Sequence, residues 1–264
     1  MEDQIILIDK PANISSFGVV AKVRGYLKAK YGHKIKVGHT GTLDPFATGL
    51  LILLTGKMTK KSSDFLKLDK VYEATMKLGF TSTTGDPEGE ITKCNQSIKS
   101  TKTEEHKGKI CQRQILAAEE AKQCDKISDL SHCEASEFSG FYTLNKVECT
   151  LQTFIGKITQ VPPRFSAIKI NGERAYKLAR KGADFKIPSR QVEIYSIDIL
   201  DYHYPYLKIR CHVSSGTYIR TLAEDIGNKL GTCAYLTSLR RLSIHNYKVE
   251  NAKPLDFFTK EEPT

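Results

Sequence analysis

The sequence predicts an α+β fold. Short apolar or alternating runs that read as strands recur along the chain, helical periodicities sit among them without a regular βαβ rhythm, and no internal repeat organises them. With 264 residues and 40% hydrophobic side chains, the chain can bury a substantial core, as one large domain or two small ones.

Ile5 to Ile8 reads as a short strand, followed by Asp9-Lys10-Pro11 and a loop ending in Ser15-Ser16, either of which can cap a helix. Val20, Val23 and Leu27 then recur at helical spacing, with Lys22, Arg24 and Lys28 on other faces, so an amphipathic helix is expected. Leu50 to Leu54 is apolar enough for a buried strand, Thr59 to Leu66 reads as a helix, and Val71 to Leu78 alternates as a half-buried strand does. Thr81 to Gly89, with Gly85-Asp86-Pro87, is a turn-rich loop.

From Lys93 to about Thr143 the pattern breaks. This stretch is polar and weakly periodic, and only Gln112 to Gln123 looks helical. So long a stretch without regular structure is uncommon inside a compact domain, which points to an insertion at about 93–143. Regular structure resumes with an expected strand near Val147 to Leu151. Asn171-Gly172 marks a turn before a helix carrying Tyr176 and Ala179-Arg180, and strands follow near Val192 to Leu200 and Leu207 to Val213. Ile219, Leu222, Ile226 and Leu230, spaced by three and four, form a helix that Gly231 stops. Leu239-Arg240-Arg241-Leu242 opens the last strand-like stretch.

The formal charge of +10 favours a polyanionic partner, because Lys and Arg gain affinity by releasing phosphate counterions. Lysines cluster at Lys22 to Lys36, Lys57 to Lys70 and Lys169 to Lys186, whereas the stretch from Lys93 to Cys149 is nearly balanced. The seven cysteines include no C-x-x-C pair, so free thiols in a reducing compartment are expected and His132-Cys133 is only a faint zinc candidate. The apolar runs all fall short of membrane-spanning length and no signal peptide precedes the first, which places the chain in the cytoplasm.

The most informative segment is Gly38-His39-Thr40-Gly41-Thr42-Leu43-Asp44-Pro45-Phe46-Ala47-Thr48-Gly49. It places one carboxylate in a short glycine-flanked loop, next to a proline that fixes φ and just before a buried run. Such a loop can hold an acid rigidly against a substrate. No Walker-type loop, dinucleotide fingerprint or metal cluster accompanies it, so no cofactor is expected.

This string resembles, position for position, the G-H-x-G-x-L-D-P-x-A-T-G signature of the TruB-type tRNA pseudouridine synthases. The resemblance implies that family's mixed, mainly antiparallel sheet core with flanking helices, and a reaction on uridine 55 of the tRNA T loop: cleavage of the C1′–N1 bond, turning of the uracil, and rejoining through C5. It makes Asp44 the nucleophile. Tyr72, in Lys70-Val71-Tyr72, would stack on the base and take part in proton transfer. Arg220, in Ser215-Gly216-Thr217-Tyr218-Ile219-Arg220-Thr221, would pair with the aspartate, and Asp86 would share that arginine. Leu239 would pack on the uracil, His39 would assist extrusion of the stacked base, and Lys10 in Lys10-Pro11 would support Tyr72. Pro163-Arg164-Phe165-Ser166-Ala167-Ile168-Lys169 is similar to the family's P-x-Y-S-A-x-K segment, with Phe165 in place of the tyrosine.

The implied partner is tRNA, bound by its T arm and elbow to a monomer. The insertion is longer than the bacterial pattern, and the chain stops short of the C-terminal RNA-binding domain of many relatives, so binding would rest on the catalytic domain. Two alternatives remain: a catalytic subunit of the guide-RNA-dependent branch, and a non-catalytic tRNA-folding factor. Phe46-Ala47-Thr48-Gly49 after the Asp-Pro favours the stand-alone type over the first, and the intact Asp44, Tyr72 and Arg220 weigh against the second.

Overall fold

The computed structural model describes residues 3–94 and 142–258. The chain divides into two units, Met1–Cys94 with Tyr142–Thr264, and Asn95–Phe141. The helix expected at Gln112 to Gln123 and the His132-Cys133 pair lie outside the described residues.

Strand β1 (Ile5–Lys10) leads into helix α1 (Ser16–Tyr31), capped by Ser15, whose side chain accepts from Gly18 N. Val19, Val20, Val23 and Leu27 form its buried stripe. Strands β2 (Val37–His39) and β3 (Thr48–Thr55) flank the motif loop. Every residue of β3 after Thr48 is buried, because both faces are covered. Leu51 and Leu53 pack against α1, while Leu50, Ile52 and Leu54 pack with Phe65, Ile244 and Val249. A strand buried on both faces must be apolar throughout, which explains the unbroken Leu-Ile run. A short 3₁₀ segment, Gly56–Lys61, and α2 (Ser62–Leu66) then lead to β4 (Lys70–Leu78), whose alternate residues are buried. Strands β5 (Phe80–Ser82) and β6 (Ile91–Lys93) form a separate hairpin carrying the Gly85-Asp86-Pro87 turn.

Past the insertion, the strand expected at Val147 to Leu151 is instead helix α3 (Leu144–Gln152). Valine, cysteine and threonine there resemble a strand composition, but Thr143 caps the segment by accepting from Lys146 N, and Val147, Thr150 and Leu151 bury at i, i+3 and i+4. The strand of this region comes later, as β7 (Gly156–Gln160). Strands β8 (Lys169–Ile170) and β9 (Glu173–Arg174) turn at Asn171-Gly172 into α4 (Ala175–Arg180). Strands β10 (Arg190–His203) and β11 (Tyr206–Val213) precede α5 (Ile219–Leu230), which ends at the left-handed cap Gly231. The last long strand, β12 (Ala234–Ile244), begins well before Leu239, because Ala234 to Leu236 already pair with β4. Two short strands, β13 (Tyr247–Lys248) and β14 (Lys253–Pro254), follow.

Among the described residues, ten strands form one sheet in the order β14-β1-β3-β12-β4-β11-β10-β7, with β2 beside β3 and β13 beside β12. Pairing is antiparallel except at β1–β14 and β3–β12, giving a mixed, mainly antiparallel sheet. At the β3–β12 junction Gly49 has φ +101°, and a Cβ there would lie 2.3 Å from the Arg241 carbonyl. Only glycine lets the motif loop enter β3 so close to β12.

The expectation of free thiols is corrected at one pair. Cys94 and Cys233 are joined as a disulfide, with Cα atoms 6.3 Å apart, inside the usual range. Cys94 N donates to Gly79 O and Gly79 N to Cys233 O, both at 2.9 Å, so one backbone position brings the two cysteines together. Their separation of 139 residues left no spacing signal. Cys149 and Cys211 are free.

Candidate active site

Asp44 projects from the loop between β2 and β3, and several groups fix that loop. Ser16 Oγ accepts from Leu43 N at 2.8 Å and lies 2.9 Å from Leu43 O, to which it donates. Pro45 O accepts from Asn13 N at 2.9 Å and from Lys10 Nζ at 3.0 Å. Lys10 also donates to the carbonyls of Pro11 and Ile14 and is wholly buried. Its ammonium thus braces the Asp44 loop rather than meeting solvent, and burial pushes its pKa down to about 8.

Arg220 sits in the first turn of α5 and reaches back to Asp44. Its Nε lies 3.1 Å from Asp44 Oδ2, and Nη2 donates to Asp44 Oδ1 at 3.4 Å. Nη1 donates to Asp86 Oδ2 at 3.0 Å and to Thr84 O at 2.9 Å, and Nη2 also donates to Phe165 O at 2.9 Å. The planar fork is fully occupied, which no ammonium could reproduce. Asp86 is held in turn by Thr84 Oγ1 and by Glu88 N at 3.1 Å. The Asp86 and Arg220 side chains are 3% and 5% exposed, whereas Asp44 keeps 31%: the first two form a buried support and the third faces an opening.

Phe165 needs no hydroxyl for this contact, since it contributes its backbone carbonyl. Burial raises the Asp44 pKa above its ordinary 3.8 and Asp86 adds to the rise, while Arg220, Lys10 and Arg241 oppose it. The site therefore strips water from a carboxylate and surrounds it with fixed positive charge.

The opening is a cavity of about 260 Å³. Of the expected residues, Asp44, Tyr72, Arg220 and Leu239 line it. Asp86 and Lys10 stand behind its wall, and His39 lies on β2, half-buried, its Nδ1 3.4 Å from Gly41 N. Burial, then Arg241 and Arg174, lower the His39 pKa and favour the neutral ring.

Lys70, Arg241, Ser166 and Arg190 also line the cavity, although none was singled out from the sequence. A signal for two of them was available. Strand side chains alternate, so Lys70 shares a face with Tyr72 on β4, and Arg241 shares one with Leu239 on β12. The register places Arg241 directly opposite Tyr72 and Leu239 opposite Ala74.

Comparison with known proteins shows the family and the fold. The model of the TruB family pseudouridylate synthase N-terminal domain matches residues 26–118 and 114–219. A protein of Phocaeicola vulgatus named tRNA pseudouridine synthase B is 38% identical over 258 residues, 97% of this chain and 92% of its own length. One of the same name from Cupriavidus pinatubonensis is 37% identical over 96% of this chain and 66% of its own length. Among solved structures, a chain of a Cbf5-Nop10-Gar1 complex superposes with a TM-score of 0.59 at 24% identity, over 96% of this chain and 54% of that one, a likeness of fold.

Proposed function

The chain belongs to the TruB family of pseudouridylate synthases, and from that premise we propose that it isomerises uridine 55 in the T loop of tRNA, with Asp44 as the nucleophile. The observation that carries the mechanism is the Asp44–Arg220–Asp86 arrangement at the mouth of a nucleoside-sized cavity. One Asp44 oxygen attacks at the ribose, and the C1′–N1 pair departs with the uracil. Arg220 keeps Asp44 ionised in a dry site, and Asp86 fixes the arginine. Tyr72 and Leu239 face the detached uracil across the cavity and confine its turning. C5 then bonds to C1′ as Asp44 leaves, N1 takes up a proton from solvent, and the Tyr72 phenol relays the C5 proton away to solvent.

The stacked base must be extruded first, a step in which the neutral His39 assists from beside Gly41. The partner is the T arm and elbow of tRNA, taken up by a monomer. Residues 1–264 act as one catalytic domain interrupted at about 93–143. Among the described residues no helix is long and apolar enough to cross a membrane.

Carbodiimide labelling and primer extension on a tRNA transcript test the proposal. The expected result is a single new stop reporting position 55. A stop elsewhere in the transcript with none at 55 would refute the assignment.

A further inference from the structure

Two adjacent arginines of β12 are treated in opposite ways. Arg240, half-exposed, grips Asp9 with two bonds of 3.1 and 2.8 Å. Arg241 is 1% exposed, yet its bonds go to neutral carbonyls, Nε to Leu50 O at 2.7 Å and Nη2 to Gly41 O at 3.1 Å. Its Nη1 makes no hydrogen bond among the described residues. Lys70, 7% exposed, likewise donates only to carbonyls, those of Leu66 and Leu68. Among the described residues neither cation has a carboxylate at ion-pair distance, and both line the cavity.

Burying a cation without an anion is costly, and here two such cations lie close enough to oppose each other. Burial and Arg241 together push the Lys70 pKa down to about 8. The backbone leaves a path to Nη1: Gly41 has φ +141°, and a Cβ there would sit 3.7 Å from that nitrogen. A side chain at Gly41 would fill the space through which a ligand atom must approach.

We propose that Lys70 and Arg241 form an anion subsite for one phosphodiester of the RNA flanking the target uridine, in the same cavity as Asp44. This rests on the isomerase reading above. The phosphate supplies the missing counter-charge and, by pairing with Nη1 of Arg241 and the point charge of Lys70, fixes the depth of the flipped nucleotide. The rest of the backbone is read by exposed lysines, whose contacts are screened and individually weak.

Arg241→Gln would orphan the Leu50 and Gly41 carbonyls and could unfold the chain, so the test puts the change on the RNA. Stem-loop substrates carry a neutral methylphosphonate at one linkage each, at the two linkages on either side of the target, and are assayed with wild type and Lys70→Met. On the all-phosphate substrate, Lys70→Met raises KM about tenfold with kcat within about twofold, the pattern of lost uniform binding. With wild type, one flanking methylphosphonate raises KM by a similar factor, and at that linkage Lys70→Met adds no further penalty. If the variant's penalty multiplies with that of every linkage, or no linkage carries one, the subsite is wrong. If wild type isomerises no uridine in the all-phosphate RNA, the reaction assignment itself fails.

Discussion

Arg220 and Arg241 are both almost fully buried and line the same cavity, but they are held differently. Arg220 has two carboxylates and two carbonyls for its fork, whereas among the described residues Arg241 has carbonyls alone. The first is an internally neutralised device: its charge is balanced before any ligand arrives, so it can hold Asp44 in one geometry through the reaction. The second has no carboxylate beside it among the described residues, a charge that the proposed phosphate would balance. On the proposed reading Arg220 serves bond making and Arg241 serves grip, and variants of the two groups should separate in kcat and KM.

The largest effect is expected at Asp44. Asp44→Asn keeps the shape and removes the anion, so turnover should drop below about one per cent of wild type, as loss of a nucleophile costs several kcal/mol of barrier. RNA affinity by filter binding should stay within a few-fold, because phosphate contacts lie elsewhere. Multiple-turnover activity above that level would end the distinction between the two arginines.

Arg220→Lys comes next. It retains the charge but cannot span Asp44, Asp86 and the carbonyls of Thr84 and Phe165 at once. A single-turnover rate lowered at least about a hundredfold is expected, with Asp86 left partly unpaired in the interior and stability reduced by a few kcal/mol. A near-normal rate would mean that charge alone matters at Arg220 too.

The acid limb of kcat/KM sharpens the same comparison. Burial raises the Asp44 pKa, so protonation, which disarms the nucleophile, sets in at a higher pH than for an ordinary aspartate at 3.8. The inflection should lie above 3.8 in wild type and move further up in Arg220→Gln, where the main opposing cation is gone, with circular dichroism confirming the fold at each pH. An inflection below 3.8 would show that the surrounding cations outweigh burial.

The smallest effect is expected far from either arginine. Replacing residues 95–139 by a short Gly/Ser linker should leave kcat unchanged, since loop length alters closure entropy only logarithmically. A several-fold rise in KM alone would make the segment a further RNA grip. Loss of kcat in a variant that still melts cooperatively would place it in the assembly of the active site.

Much of this was legible in the sequence, for identifiable reasons. Long elements with clear periodicity, such as α1, β3, β4 and α5, announced themselves because each buries one stripe or two faces. The Asp44 loop was legible because its residue types are demanded together. Helix α3 was misread because its few apolar residues suit either period and the cap at Thr143 decides between them. The Cys94–Cys233 bridge was invisible, since its partners meet only through the β6–β12 neighbourhood of Gly79. Lys70 and Arg241 were passed over because a basic residue beside a motif looks like a solvated one until burial is known. Lys10, expected to support Tyr72, donates to the carbonyls of Pro11, Ile14 and Pro45, the last of them in the Asp44 loop.

The most direct test of the central claim is tritium release from a tRNA transcript labelled at C5 of uridine, since forming the new C5 bond must expel that hydrogen. The account predicts release equivalent to one uridine per transcript with wild-type protein, and none when position 55 carries cytidine. Release that survives the loss of uridine 55 would contradict it.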